Sequence, residues 1–396
     1  RIHESCFPSV NQRASLWGLE SRTGRAVLRH HGYQAEVVTD RRKQDRNLSL
    51  LRQAVGERPD DANLQMNLGM ELCKAGSVAA GLEHYRTAAQ LLNKRPPQSV
   101  LPEFREAFLS RYAGQLLSAH DFARVLEACA SPLGRAAPLT ATLHLLRANA
   151  LLQLDRFEPA AAEYEKCVAT RKQPAHFPQA PEVFGSLPFQ SWALALVRLQ
   201  RPAAAQRVLE SGLKEHPDDP ALESLLAKCL WQQNLPVPAL ETLHRVVSRD
   251  AKKRDAWLFG GQIALSRPEF FEFALDWTGE ASRHFAVDPH IAAQRAEALL
   301  LSGDTTRALV SWRNAAAAED PRRMAALLLC EAAQGELGQH PAQTGTVSAE
   351  FLRWYQRLVQ AGARETLLRL HDQLPKLEPI LPAAVSALKA AMAEAQ

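Results

Sequence analysis

A spacing of 34 residues constrains this chain more than any other feature. Ala193, Leu196, Ala205, Leu209 and Gly212 are followed 34 positions later by Ala227, Leu230, Ala239, Leu243 and Val246. The same design stands in residues 62–95, with Leu68-Gly69, Leu72, Gly81, Tyr85 and Ala88. It returns in 141–171 (Ala148, Leu151, Ala160, Tyr164, Cys167) and in 289–322 (Ala296, Leu299, Ala308, Trp312, Ala315). Small residues at fixed points let two helices cross closely, and larger residues between them fill the groove against the next pair. One such hairpin cannot bury its own apolar face, so the pairs must stack. Residues 103–131 and 254–287 keep a helical-pair pattern but read as degenerate units.

Two connections are rich in proline: "NKRPPQSVLP" (93–102) and "RKQPAHFPQAPEVFGSLP" (171–188). The second is long enough to be a functional loop, since long structureless connections are uncommon in compact domains. After Pro321 further helical segments follow. The last, from about 379 to 395, is alanine-rich with charges near its end and suits a solvated cap.

The charge is distributed unevenly. Residues 1–60 hold 11 Lys and Arg against 7 Asp and Glu, and the whole chain carries +4, so residues 61–396 sum to zero. A neutral repeat region argues against broad nucleic-acid binding, which needs a positive stripe. The six cysteines (Cys6, Cys73, Cys129, Cys167, Cys229, Cys330) form no CxxC pair and sit in separate segments. That pattern points to buried, reduced thiols and to a cytoplasmic setting rather than to a disulfide scaffold or a zinc site. No apolar run is long enough to span a membrane. The chain opens on "RIHE", without methionine or signal peptide, and is expected to be the later part of a longer product.

The repeats resemble the tetratricopeptide family, on Leu68-Gly69, Leu72, Gly81, Tyr85 and Ala88, and on Ala193, Ala205, Leu209 and Pro217 with their partners 34 residues on. The resemblance covers roughly 62–322. It implies an all-α, right-handed solenoid of about seven or more helical hairpins, whose concave groove takes a protein or peptide partner.

Residues 1–60 resemble something else, the tail of a bacterial family 2 glycosyltransferase catalytic domain. The matching pieces are "RIHE" (1–4), "LRHHGY" (28–33) and "KQDRNLSLLRQAVGERPDD" (43–61). "RAVLRH" and "GYQAEVV" read as β-prone, so a short α/β remnant is expected ahead of the solenoid. The resemblance implies a parent enzyme using a nucleotide-sugar and a divalent metal. His3 and Glu4 would fall on its acceptor and metal side, and His30 would take the place of the family's histidine. Lys43, Arg46 and Asn47 would lie at the domain junction. The paired aspartates that hold metal and diphosphate are not in this chain, so it is expected to be inactive alone, with no cofactor of its own.

The residues themselves offer a plainer reading beside that one. A carboxylate or imidazole such as Glu4 or His3 can take an acceptor proton, but both also suit a polar turn at an edge. His30 and His31 alternate across a strand end and point to opposite faces, which disfavours a shared metal. The other histidines show no metal spacing, and no HExxH, phosphate-binding loop or GxSxG stands anywhere. Most of the seven tryptophans, Trp257 and Trp312 among them, fall where the pattern demands core fill.

The sequence thus divides into a remnant and junction helix over 1–60, repeats over 61–322, and helical repeats with a cap over 323–396. Its expected role is the protein-binding region of a family 2 glycosyltransferase-like protein. The alternative is a stand-alone interaction scaffold with no link to glycosylation. Oligomeric state, donor sugar and acceptor are left open by the residues.

Overall fold

The computed structural model describes residues 41–315 and 320–394, together with Gly18. Every regular element among them is helical. The chain divides into two compact units, residues 1–208 and 209–396, with the boundary inside one helix.

The first unit begins with α1 (Arg41–Glu57). Pairs α2 (Ala62–Lys74) with α3 (Val78–Asn93) and α4 (Pro102–Ser118) with α5 (Phe122–Ala130) follow, then the short α6 (Pro132–Arg135). Next come α7 (Ala141–Gln153) with α8 (Phe157–Thr170), and α9 (Leu187–Arg198) with α10 (Pro202–Glu215), in which the boundary falls. The second unit holds α11 (Pro220–Gln232) with α12 (Pro236–Arg249), α13 (Arg254–Ala264) with α14 (Phe271–His284), and α15 (Pro289–Leu301) with α16 (Thr305–Asn314). It ends with α17 (Pro321–Gln334), the pair α18 (Gly345–Gln360) and α19 (Arg364–Asp372), the short α20 (Leu374–Leu377), and α21 (Pro382–Glu394).

Each pair is made by one crossing and one turn. Gly69, Leu72, Gly81 and Tyr85 are separated by intervals of three, nine and four residues, and all four are buried. The same intervals set Ala148, Leu151, Ala160 and Tyr164, and likewise Ala296, Leu299, Ala308 and Trp312, again all buried. The pair α4–α5, degenerate in sequence, keeps them through Ala113, Leu116, Val125 and Cys129. The nine-residue interval contains a turn whose fourth residue after the leucine is left-handed: Gly76, His120, Asp155, Gln200, Asn234, Gly303 and Gly362. In each case the next N–H bonds back to that leucine's carbonyl, as Ser77 does to Leu72 at 2.9 Å and Arg156 to Leu151 at 2.9 Å. This closure satisfies carbonyls that the helix end would otherwise strand. Only α13–α14 departs from the rule among the described pairs. Its crossing (Gly261, Ala264, Ala274, Thr278) carries one extra residue, and a tight turn over Pro268–Phe270 replaces the left-handed one.

Entry into the first helices is set by aspartates. Asp61, Asp219, Asp288 and Asp320 each cap a helix, accepting backbone N–H bonds from the first turn. Such caps are worth about 1 kcal/mol each. First helices of neighbouring pairs touch one another: α2 with α4, α4 with α7 and α7 with α9 in one unit, α13 with α15 and α15 with α18 in the other. They therefore line one face within each unit. Trp257, Trp277, Trp312 and Trp354 are all buried, as the pattern demanded of large residues. Cys129, Cys167, Cys229 and Cys330 are buried free thiols and Cys73 is a half-buried one.

The α/β remnant expected at the start is corrected here. No strand exists among the described residues; "RAVLRH" (25–30) and "GYQAEVV" (32–38) lie outside them, and residues 41–60 are the helix α1 with its following turn. Leu48, Leu51 and Val55 form a stripe on α1 that packs on Leu68 and Leu72 of α2. The three- and four-residue spacing of that stripe buries it against the first pair, so α1 continues the helical packing. Arg46 is exposed and Asn47 half-buried on that helix. At the other end α21 packs on α18 through a face that includes Val385 and Leu388.

A Cβ on Gly69 would meet the Gly81 carbonyl oxygen at 2.7 Å and the Tyr85 ring at 3.0 Å, whereas one on Gly114, in α4, would meet nothing within 4 Å. Gly69→Ala should therefore destabilise the protein by about 1–3 kcal/mol through forced separation of the helices. Gly114→Ala should stabilise it by about 0.5–1 kcal/mol, because alanine is the better helix former. Denaturant unfolding of the two variants checks the opposite signs; equal shifts would contradict this crossing.

Candidate functional site

His3, Glu4 and His30, the residues the sequence offers for chemistry, lie outside the described residues, as does the side chain of Lys43. Among the described residues no group of three His, Cys, Asp or Glu side chains is placed to hold a metal ion. Two hollows are present in the first unit. One, of about 150 Å³, is lined by residues including Phe108, Tyr112, Arg124 and Leu133. The other, of about 310 Å³, lies beside Arg58, Asp60, Asp61 and Arg95.

The repeats do repeat one polar contact. Position Gln65 of α2 meets His84 of α3 at 2.7 Å, and the equivalent positions in α7 and α8 are His144 and Glu163, also 2.7 Å apart. Glu163 is buried, and Lys166 at 3.0 Å and Arg147 at 3.6 Å complete its surroundings. Burial acts to raise its carboxyl, but the hydrogen bonds from His144 and Lys166 and the charge of Arg147 outweigh it and bring the pKa down to about 2. In the second unit Glu223 is held by Arg249 and Arg245, and Glu297 by Arg322 and Arg357. Arg357 also donates to the Leu265 carbonyl at 2.6 Å and lies over the Trp354 ring. These buried carboxylates are neutralised by several donors each: Glu163 and Glu223 tie the two helices of one pair, and Glu297 ties α15 to α17 and α18.

A different arrangement stands on α4 and α7. The proline-rich connection 171–186 does not loop away from the protein. It runs back over these two first helices. The Glu106 carboxylate of α4 is buried, and one of its oxygens accepts two successive main-chain N–H groups, from His176 at 2.8 Å and Phe177 at 3.0 Å. The Thr142 hydroxyl of α7, also buried, accepts from the Ala180 N–H at 2.9 Å. Arg111 of α4 lies 5.3 Å from the centre of the Phe177 ring. The ends are fixed separately. Arg171 is buried over the Phe189 ring at 4.8 Å, and Val183, fully buried, anchors a short turn over Pro181–Phe184. Between them, no residue from 172 to 182 is buried. The connection is thus a proline-rich strap with Pro174, Pro178 and Pro181, bent at His176 and Phe177 so that both amides face Glu106, and read by its backbone.

Sequence length and proline content singled out this connection, but not its receptor. Glu106 looks like an ordinary surface glutamate in a helix, and Thr142 like a helix-start residue; only the fold sets them side by side.

The tetratricopeptide repeat family model matches residues 196–263. No curated protein sequence matches the chain. Solved structures similar to it include YrrB, a tetratricopeptide protein described as having an unusual peptide-binding site, at 16% identity over 64% of this chain and 97% of that one, with a TM-score of 0.34. Another is the C-terminal part of a tetratricopeptide protein from Cytophaga hutchinsonii, at 9% identity over 66% and 97%, TM-score 0.48. A third is PilF of Pseudomonas aeruginosa, at 16% identity over 61% and 99%, TM-score 0.40.

The glycosyltransferase expectation is corrected on the described residues. They are an all-α, tetratricopeptide-like succession of helical pairs, with the helix α1 packed on the first pair. Among them no glycosyltransferase-like domain is present. No helix among the described residues is long and apolar enough to cross a membrane.

Glu163 gives a test by pH. Its folded pKa of about 2 lies below the ordinary value of 4.5, so it adds stability that is fully present above about pH 4.5 and is lost as pH falls through about 2. Glu163→Gln should melt lower than the wild type at neutral pH and lose less Tm on acidification over that window. An unchanged acid profile in the variant would show that the cluster does not carry this stability.

Proposed function

We propose that the chain is a protein-interaction scaffold that takes extended polypeptide segments on the face lined by its first helices. The observation that carries this reading is the pair of buried acceptors, Glu106 and Thr142, engaged by main-chain N–H groups of a non-helical, proline-rich segment. Side chains that bind backbone donors recognise main-chain conformation before they recognise sequence, which is the requirement for holding a peptide along a helical face. A buried carboxylate needs such donors, because leaving it unpaired is costly. The near-zero charge over 61–396 accords with partners chosen by shape and hydrogen bonding rather than by electrostatic attraction to nucleic acid.

Selection from a displayed library of random linear peptides tests the proposal on the full chain. Enrichment of extended, proline-containing peptides over those retained by an unrelated helical protein is expected. No enrichment over that control would count against the scaffold reading.

A further inference from the structure

We infer that residues 172–185 are an internal ligand: the strap occupies a peptide site on α4 and α7, and a partner segment reaches that site only by displacing it. The inference rests on the scaffold reading above and deepens it. Three observations carry it.

The first is the nature of the grip. A connection that merely spans two helices needs no receptor. This one has its His176 and Phe177 amides on one oxygen of Glu106 and its Ala180 amide on Thr142, with Arg111 over the Phe177 ring. All three acceptor contacts go to main-chain N–H groups, which another segment bent in the same way can supply.

The second is where the strap is weak. Its ends are buried at Arg171 and Val183, but nothing between 172 and 182 is. A stretch held by few contacts and little buried apolar area opens at low cost while the helices beneath stay folded. The anchors keep the released strap close, at an effective concentration of about millimolar, so it returns when no competitor is present.

The third is what release leaves behind. Beyond the strap amides, Glu106 has Arg105, with one guanidinium nitrogen at 3.9 Å from its other oxygen. With the strap gone, the Glu106 carboxylate loses both amide donors and the Thr142 hydroxyl loses that of Ala180, and both are satisfied again by the backbone of an incoming peptide bent so that two consecutive N–H donors face one way, with an aromatic side chain at the second and prolines nearby.

The probe is a fluorescent synthetic peptide of residues 172–185, KQPAHFPQAPEVFG, read by polarisation. Two strap-released chains are compared with the wild type. One carries His176→Pro, Phe177→Pro and Ala180→Pro, which remove all three N–H donors. The other carries His176→Pro and Phe177→Pro, which remove both N–H donors and leave the helices untouched; circular dichroism establishes which is folded. The folded released chains should bind the peptide at least tenfold more tightly than the wild type, and adding Glu106→Ala should abolish that gain. Equal binding by wild-type and released chains overturns the inference, as does absence of binding by a folded released chain. If library peptides still bind the wild type in that case, the scaffold reading stands and only the internal ligand falls. If neither binds anything, both fall.

Discussion

The close crossing of two helices at small residues, closed by a left-handed turn, is the constraint on which the rest depends. Where Gly69 faces Gly81, no Cβ fits between the backbones. The turn after each leucine then bonds back to that leucine's own carbonyl, fixing how far the second helix starts from the first. With both distances set, the large residue sixteen positions after the small one, Tyr85 or Tyr164 or Trp312, has one place to go. The turn residue can be Gly, Asn, Asp, His or Gln, at a conformational cost that the crossing must offset for all but glycine. Stacking follows because a single pair leaves its apolar side open.

Variation within this rule is informative. Tyr164 donates to Asn149 at 2.6 Å, whereas the Tyr85 hydroxyl is buried without a partner because Met70 stands where Asn149 would be. In the last pair the bulk is reversed. Tyr355 occupies the small-residue position, and its hydroxyl meets His371 at 2.7 Å with the rings stacked. The buried carboxylates Glu163, Glu223 and Glu297 supply a second kind of specificity. Each is tied by guanidinium, ammonium or imidazole groups that include one from a neighbouring helix, so a register slip would strand a charge. Glu106 differs from all three, because its N–H partners come from the strap rather than from another helix.

Much of this was legible in the sequence. The 34-residue spacing announced the pairs, and the intervals of small and large residues gave the crossings, because both follow from helix geometry alone. The α4–α5 pair was harder to see, since valine and cysteine replace the small and aromatic residues at Val125 and Cys129 while the intervals persist. At the start, the three- and four-residue spacing of Leu48, Leu51 and Val55 announced a helix; what it could not announce was the surface that stripe covers, Leu68 and Leu72 of α2. The strap's length and prolines were visible, but its acceptors were not. Backbone N–H donors have no sequence signature, and Glu106 and Thr142 become a site only when the fold brings α4 and α7 together.

The central claim is that this face holds a proline-rich segment by its backbone. Amide hydrogen exchange at His176, Phe177 and Ala180 in the intact chain tests it most directly. These three amides should exchange more slowly than those of exposed chain, and faster than the helix amides of α4 and α7, and Glu106→Ala should release the first two while the helices stay protected. Exchange of all three at the rate of unprotected chain, unaffected by that substitution, would contradict the account.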